Sequence, residues 1–396
     1  MLVGDSLPEP AVGTQPFLPA LQGLRAAAAI AVVVTHVAVQ TGRFHGPIGH
    51  LLIRLDLAVA VFFALSGFLL WRGHAAAARG LRQLPATGPY LRSRVVRIMP
   101  AYLLAVVVIL LVLPDVHFAD RTVWLANLTL TQVYIPQTLV AGLTQMWSLS
   151  VEVTFYLALP LLALAAAKLP VRARVPVIAA VAVASLGWGY LPIPAPYDAN
   201  PLNWAPAYAS WFAGGMLLAE WTCRPEGRVH RLARRPALMI GIAAIAYVVS
   251  ATPMAVPEVG VHASVEQFVL RTAMGAVIAT AVLAPLVLGR RTDSHAMLGS
   301  AVMVRLGEWS YGLFIWHLAA LSMVFPLLNL QPSSGGFILV LALTLLFGTA
   351  MAVVSYALVE EPCRLALQRW EIRRKAAVLS LTGSIDGQPT GHTRAA

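Results

Sequence analysis

Long apolar stretches alternate with short, polar and often basic ones along the chain. A bilayer crossing needs roughly 20 mostly apolar residues. Ten stretches approach or reach that length: 19–39, 51–71, 98–114, 147–167, 175–190, 204–220, 237–252, 264–289, 309–329 and 335–359. Hydrocarbon offers no water to backbone N–H and C=O groups, so such stretches fold as helices. The pattern predicts an all-α, polytopic membrane protein with about ten transmembrane helices. The fifth, sixth and seventh stretches are short. Residues 116–146 read as a long outer loop whose Trp124 and Tyr134 suit the membrane interface.

Charge tests this map independently. With the N-terminus in the cytoplasm, 23 of the 28 basic residues fall in inner loops or the C-terminal tail. Only Arg43, Arg54 and Arg121 fall outside, while Arg25 and Arg271 lie within spans. Such an asymmetry follows the positive-inside rule and places both termini in the cytoplasm. Composition agrees: 59% of residues are hydrophobic and 11% charged, which excludes an ordinary soluble enzyme, a disordered chain and a fibrous one. The net charge of +11 is accounted for by loop bias, so no nucleic-acid partner is expected. Cys223 and Cys363 have no metal-ligand spacing, and neither a disulfide framework nor a metal site is expected. Residues 1–18 read as an irregular cytoplasmic lead without signal-peptide features. Residues 19–365 form the membrane domain, and 366–396 a basic and then disordered cytoplasmic tail. No internal repeat is visible, which argues against a transporter built from duplicated halves.

Ionisable residues within spans are functional candidates because burying them in lipid is costly. Arg25 and His36 share the first span, and eleven residues return to within about 20° of the same helix face after a rise of about 16 Å. Asp56, in the second span, lies at a similar depth to His36. A carboxylate on one ring nitrogen would fix the tautomer and raise the basicity of the other. Arg54 is the competing partner, but on a regular helix a residue two positions away faces elsewhere. Ser66-Gly67 reads as close helix packing through small residues rather than a nucleophile with His317 as base. Glu152 follows Trp147 by about a turn and a half; it could bind an acceptor hydroxyl, pair with Arg271 or face a water pocket. Arg94 and Arg97, one turn apart at the cytoplasmic entrance to the third span, suit either headgroups or a polyphosphate. No Gly-rich phosphate loop is present.

Six blocks in order carry a resemblance. They are Leu21-Gln22-Gly23-Leu24-Arg25 with His36; Phe62-Phe63-Ala64-Leu65-Ser66-Gly67-Phe68; and Arg94-Val95-Val96-Arg97-Ile98-Met99-Pro100-Ala101-Tyr102. The others are Trp147-Ser148-Leu149-Ser150-Val151-Glu152 with Phe155-Tyr156; Ser310-Tyr311-Gly312 with His317; and Glu361-Pro362. Together they resemble the acyltransferase 3 family of integral membrane enzymes, which move acyl groups, often acetyl, onto sugars, glycans, lipids or antibiotics. The resemblance implies that His36 is the catalytic base, with Arg25 its companion, and that Arg94 and Arg97 belong to the acyl-donor region. Many members carry an Arg pair where Ser93-Arg94 stands, which leaves the donor clamp on Arg92 or Arg94. Many also have an acidic residue where Ala60 stands, and Asp56, one turn earlier, is its candidate replacement.

The expected function is a membrane O-acyltransferase of the bacterial plasma membrane, carrying out O-acetylation or a related transfer. Acyl-CoA is the expected co-substrate, a hydroxyl-bearing sugar, lipid or metabolite the acceptor, and no permanently bound cofactor is expected. Catalytic candidates are His36, Arg25, Asp56 and Glu152; donor-binding candidates are Arg94 and Arg97; Tyr102, Trp147 and His317 are supporting candidates. The competing class is a transporter or flippase, whose pathway the same polar residues would line.

Overall fold

The computed structural model describes residues 18–195, 199–257, 263–290 and 295–385. The predicted lead before Leu18 and the tail beyond Ile385 lie outside the described residues. Every regular element among those described is helical: α1 (Pro19–Gln40), α2 (Gly46–Arg54), α3 (Ala58–Ala77), α4 (Thr87–Val112), α5 (Arg121–Leu128), α6 (Trp147–Ala167) and α7 (Val171–Leu186). They continue with α8 (Ala209–Thr222), α9 (Arg228–Ala233), α10 (Pro236–Ser250), α11 (Val265–Leu288), α12 (Ala301–Leu327), α13 (Phe337–Ser355) and α14 (Glu361–Ile385).

Local sequence sets the starts. Proline opens α1 and α10, where its missing N–H costs nothing. Ser264 and Gln267 cap α11 reciprocally, and Asp120 accepts from the Val123 N–H at the start of α5.

Among the described residues, eight runs are long and apolar enough to cross a membrane: Pro19–Gln40, Gly46–Ala77, Thr87–Val112, Thr144–Ala167, Val171–Tyr190, Val265–Leu288, Ala301–Leu327 and Phe337–Arg374. The predicted stretches 204–220 and 237–252 fold as α8 and α10, of 14 and 15 residues. At 1.5 Å per residue they reach only about 21–23 Å, short of a core of about 30 Å.

Two other expectations change. The third span starts at Thr87, so its arginines sit on α4 itself and not in a preceding loop. The outer segment after α4 is not one open loop: it contains α5 and short 3-10 turns at Pro114–Val116 and Thr144–Met146. A π-helical turn at Tyr356–Glu360 leads α13 directly into α14, which continues to Ile385. The tail docks on α4: the Arg92 guanidinium lies 5.0 Å from the Trp370 ring and 3.7 Å from the Glu371 carboxylate.

The core runs between α1, α3, α4, α6, α8, α11 and α12, and a second cluster fills the space between α1, α12 and α13. Leu111 and Val112 on α4, Leu157, Leu161 and Leu164 on α6, and Leu346 on α13 remain exposed. An apolar rim of this kind suits lipid as solvent. Close approach is set by small residues. A Cβ on Gly67 would lie 2.1 Å from the Phe212 carbonyl oxygen, and one on Gly215 only 1.8 Å from that of Ala64. The packing reading of Ser66-Gly67 therefore holds for the glycine. Between α12 and α1, a Cβ on Gly307 would meet the Gln22 oxygen at 2.2 Å.

These approaches are backbone against backbone, so a side chain there must push two helices apart. We expect Gly215→Val to lower the thermal unfolding midpoint in detergent by several degrees or prevent assembly. Gly241→Ala, with nothing within 4 Å, leaves it essentially unchanged. Fluorescence-detected thermal unfolding of the two variants checks this.

Candidate active site

Because α1 is unbroken, Arg25 and His36 lie on one stripe about 16 Å apart, as expected. Arg25 faces an open pocket between the helices. Arg94 and Arg97 from α4 and Glu152 from α6 join it in the wall. Ser66 and Phe62 of α3, Tyr156 of α6, and Ser310, Tyr311 and Phe314 of α12 complete its polar and aromatic lining. Five helices thus converge on one site.

Glu152 is the pocket's carboxylate. It accepts a hydrogen bond from the Ser66 hydroxyl and another, 2.5 Å long, from Tyr156. Tyr156 follows Glu152 by one helical turn, so that contact was available from spacing alone. The contact with Ser66 was not, because sequence depth placed Ser66 near the cytoplasmic end of its span and Glu152 near the outer end. The run containing Ser66 starts at Gly46 and is broken at Leu55–Leu57, so Ser66 sits in the middle of α3. Glu152 does not pair with Arg271. Arg94 lies 5.9 Å over the Tyr156 ring, whereas Arg92 is engaged with Trp370 and Glu371 on α14. Of the two positions left open for the donor clamp, only Arg94 reaches the pocket.

His36 and His317 stand beside this pocket and not in its wall. Phe314 is the link, with its ring 6.2 Å from Phe62 and 5.9 Å from His317. The two imidazoles meet at 3.2 Å between His317 Nε2 and His36 Nδ1. His36 Nδ1 also lies 2.9 Å from the Val32 oxygen, and His317 Nδ1 2.7 Å from that of Phe314. His317 is fully buried.

Two sequence pairings are corrected here. Asp56 is not the partner of His36: its Oδ2 accepts from Arg271 at 2.6 Å and from Arg54 at 3.4 Å. The 3-10 turn at Leu55–Leu57 interrupts the helix, so the spacing argument against Arg54 does not apply. This ion cluster ties the α2–α3 junction to α11, and Asp56 does not line the pocket. His317 in turn pairs with His36, and Ser66 with Glu152, so no Ser66–His317 dyad forms.

Tyr102 and Trp147 are outside the pocket wall as well. Tyr102 is fully buried and donates to the Asn127 carbonyl, fastening α4 to α5. The Trp147 ring packs 4.9 Å from that of Tyr208.

Sequence reasoning missed Tyr311, whose hydroxyl donates to the Ile98 oxygen at 2.8 Å. It also missed Glu360, which the π-helical turn buries with both carboxylate oxygens lacking a hydrogen-bond partner among the described residues. An irregular turn of this kind has no simple sequence signature.

Comparison with known proteins converges with this geometry. The sequence profile of the acyltransferase 3 family, described as an acyltransferase domain, matches residues 18–358. The chain is 30% identical over 312 residues to "Acyltransferase MdmB" of Streptomyces mycarofaciens, covering 76% of this chain and 78% of that protein. No solved structure matches. Five of the six blocks contribute residues to the one pocket, through Arg25, Ser66, Arg94, Glu152 and Ser310 among others, within helices suited to a membrane. The chain belongs to the acyltransferase 3 family and is a multi-pass membrane enzyme that transfers acyl groups.

Proposed function

We propose that the chain is an O-acyltransferase that takes an acyl group, acetyl in the first instance, from acyl-CoA to a hydroxyl of a glycan, glycolipid or secondary metabolite. The observation that carries this reading is a single pocket in which Arg25, Arg94 and Arg97 face one hydrogen-bonded carboxylate, Glu152. The coenzyme's phosphates are anionic, and guanidinium forks bind phosphate oxygens in two-point contacts. In this reading Arg94 and Arg97, in the first three turns of α4, hold the phosphates at the cytoplasmic side. The acyl arm passes Arg25 and presents its thioester towards Phe314 and the histidines.

The membrane arrangement belongs to the same proposal. Both termini are cytoplasmic, and α8 and α10 complete ten crossings in a bacterial plasma membrane, the bilayer thinning locally around such short helices. The acceptor approaches His36 from the outer side. His36 takes the proton from its hydroxyl, the oxygen attacks the thioester carbonyl, and the coenzyme leaves as its thiolate. Glu152, with Ser66 and Tyr156, offers hydrogen-bonding groups along the acyl path.

Labelled acetyl-CoA given to the purified protein in nanodiscs tests the activity: transfer or hydrolysis is expected, and a pure transporter gives neither. Sealed, oriented vesicles test the sidedness. With donor on the inner face, an impermeant acceptor supplied outside should be acylated; product only from acceptor supplied inside overturns the outer approach.

Two variant sets separate the roles. His36→Ala should lower turnover by about 10²–10⁴, the usual cost of losing a general base, while expression stays near normal. Retention of more than roughly a tenth of wild-type turnover excludes that role, given the same range. Arg94→Ala and Arg97→Ala should each raise KM for the donor more than KM for the acceptor. Unchanged donor KM in both leaves them as topology charges.

A further inference from the structure

A general base must present a lone pair, and an imidazole does so on only one nitrogen at a time. Carbonyl oxygens only accept, so the contacts of the two histidines determine their tautomers. His317 Nδ1 lies 2.7 Å from the Phe314 oxygen and 3.3 Å from that of Leu313. It therefore carries the proton, and the Nε2 of the neutral ring accepts. His36 Nδ1 faces that Nε2 at 3.2 Å and the Val32 oxygen at 2.9 Å. It faces two acceptors and therefore donates. Of the two unprotonated nitrogens, His317 Nε2 is occupied by this hydrogen bond, which leaves the lone pair of His36 Nε2 to accept a proton. The opposite assignment would set lone pairs against carbonyl oxygens in both rings.

Building on the reading of His36 as the base, we infer that His317 is a positioning residue that holds His36 in its Nδ1–H tautomer and leaves Nε2 free to accept the hydroxyl proton. The Val32 oxygen, which also receives the backbone N–H of His36 within α1, favours the same tautomer but belongs to the ring's own helix. His317 supplies an acceptor from another helix and fixes the ring's orientation as well. Its own ring is immobilised: fully buried, bonded to its helix, and packed where Gly348 of α13 comes within 3.7 Å of its Cα when given a Cβ.

The nearby carboxylates are committed elsewhere, Asp56 to Arg271 and Arg54, and Glu152 to Ser66 and Tyr156. A neutral imidazole thus occupies the position that a carboxylate holds in hydrolytic triads. Within a bundle surrounded by lipid this avoids an unpaired anion in the resting state. When His36 Nε2 takes the acceptor proton, the imidazolium still points Nδ1–H at the His317 lone pair. That hydrogen bond becomes charge-assisted and stronger.

The test reads the tautomer directly. ¹⁵N-histidine NMR of the full chain in nanodiscs, with the His36 signals assigned by their loss in His36→Ala, should show the proton on Nδ1. His317→Leu should give a tautomer mixture and a kcat lower by about 10²-fold or more, on the scale of wrong-tautomer losses in triads, with donor KM changed less than about twofold. His317→Gln, whose side-chain oxygen can accept from His36, should restore the Nδ1–H form and recover most of the lost kcat. A wild-type Nε2–H form, an unshifted tautomer in His317→Leu, or a Gln variant no better than Leu overturns the inference. If His317→Leu does not fold, the wild-type spectrum and the Gln variant still decide. Because the spectra do not depend on turnover, absence of acyl transfer in the wild type would count against the proposed function and not against the histidine geometry.

Discussion

A charge inside a helix bundle surrounded by lipid must be answered by a neighbouring group, and this requirement arranges much of the molecule. Glu220, fully buried, receives Trp71 at 2.8 Å, Arg79 at 2.7 Å and Arg174 at 2.8 Å, drawing α3, α7 and α8 together. Asp56 is answered by Arg271 and Arg54, which join the α2–α3 junction to α11. Glu152 differs from both: its hydrogen bonds come from the neutral hydroxyls of Ser66 and Tyr156. Its charge is not cancelled by a bonded cation. The arginines of the pocket are left correspondingly available to an anionic ligand, which is the basis of the donor reading.

Helix irregularities cluster around that site. The 3-10 turn at Leu55–Leu57 resets the depth of α3, and so brings Ser66 to Glu152. The π-helical turn at Tyr356–Glu360 lies against α4, beside the segment carrying Arg97. Pro100 and Pro160 stand inside α4 and α6, where each removes one backbone hydrogen bond from the helix ladder. Departures from the regular ladder are tolerated at membrane depth where neighbouring helices cover the freed groups, and they are common where side chains must be aimed at a site. Glycine contacts do the complementary work by fixing distance. The approach of Gly307 to Gln22 presses α12 onto α1, the same two helices that carry His317 and His36.

The apolar periodicity and the distribution of arginines were sufficient for an all-helical, multi-pass protein, because the bilayer admits few other solutions for a backbone. The Arg25–His36 stripe was equally legible, since it depends on one continuous helix and the fixed pitch of 3.6 residues. Six ordered blocks sufficed for the family. Each of these properties is local in sequence, or additive along it.

Partner choice was different. His36 was matched to Asp56 by depth, yet it meets His317 from a helix nearly three hundred residues away in sequence. Ser66 read as packing alone, and it also donates to Glu152. Arg92, Arg94 and Arg97 were alike as sequence, but Arg92 turns to α14 while the other two enter the pocket. The lengths of α8 and α10, the π-helical turn and the helical tail were likewise decided by the assembled bundle. Hydropathy measures how apolar a segment is, whereas the rotation and depth of one helix against another depend on where glycines, broken turns and buried charges let the helices meet. The sequence by itself determined which segments are helical and which family they form; only the tertiary structure decided which polar groups face one another, because those pairings are made between helices and no spacing within one helix encodes them.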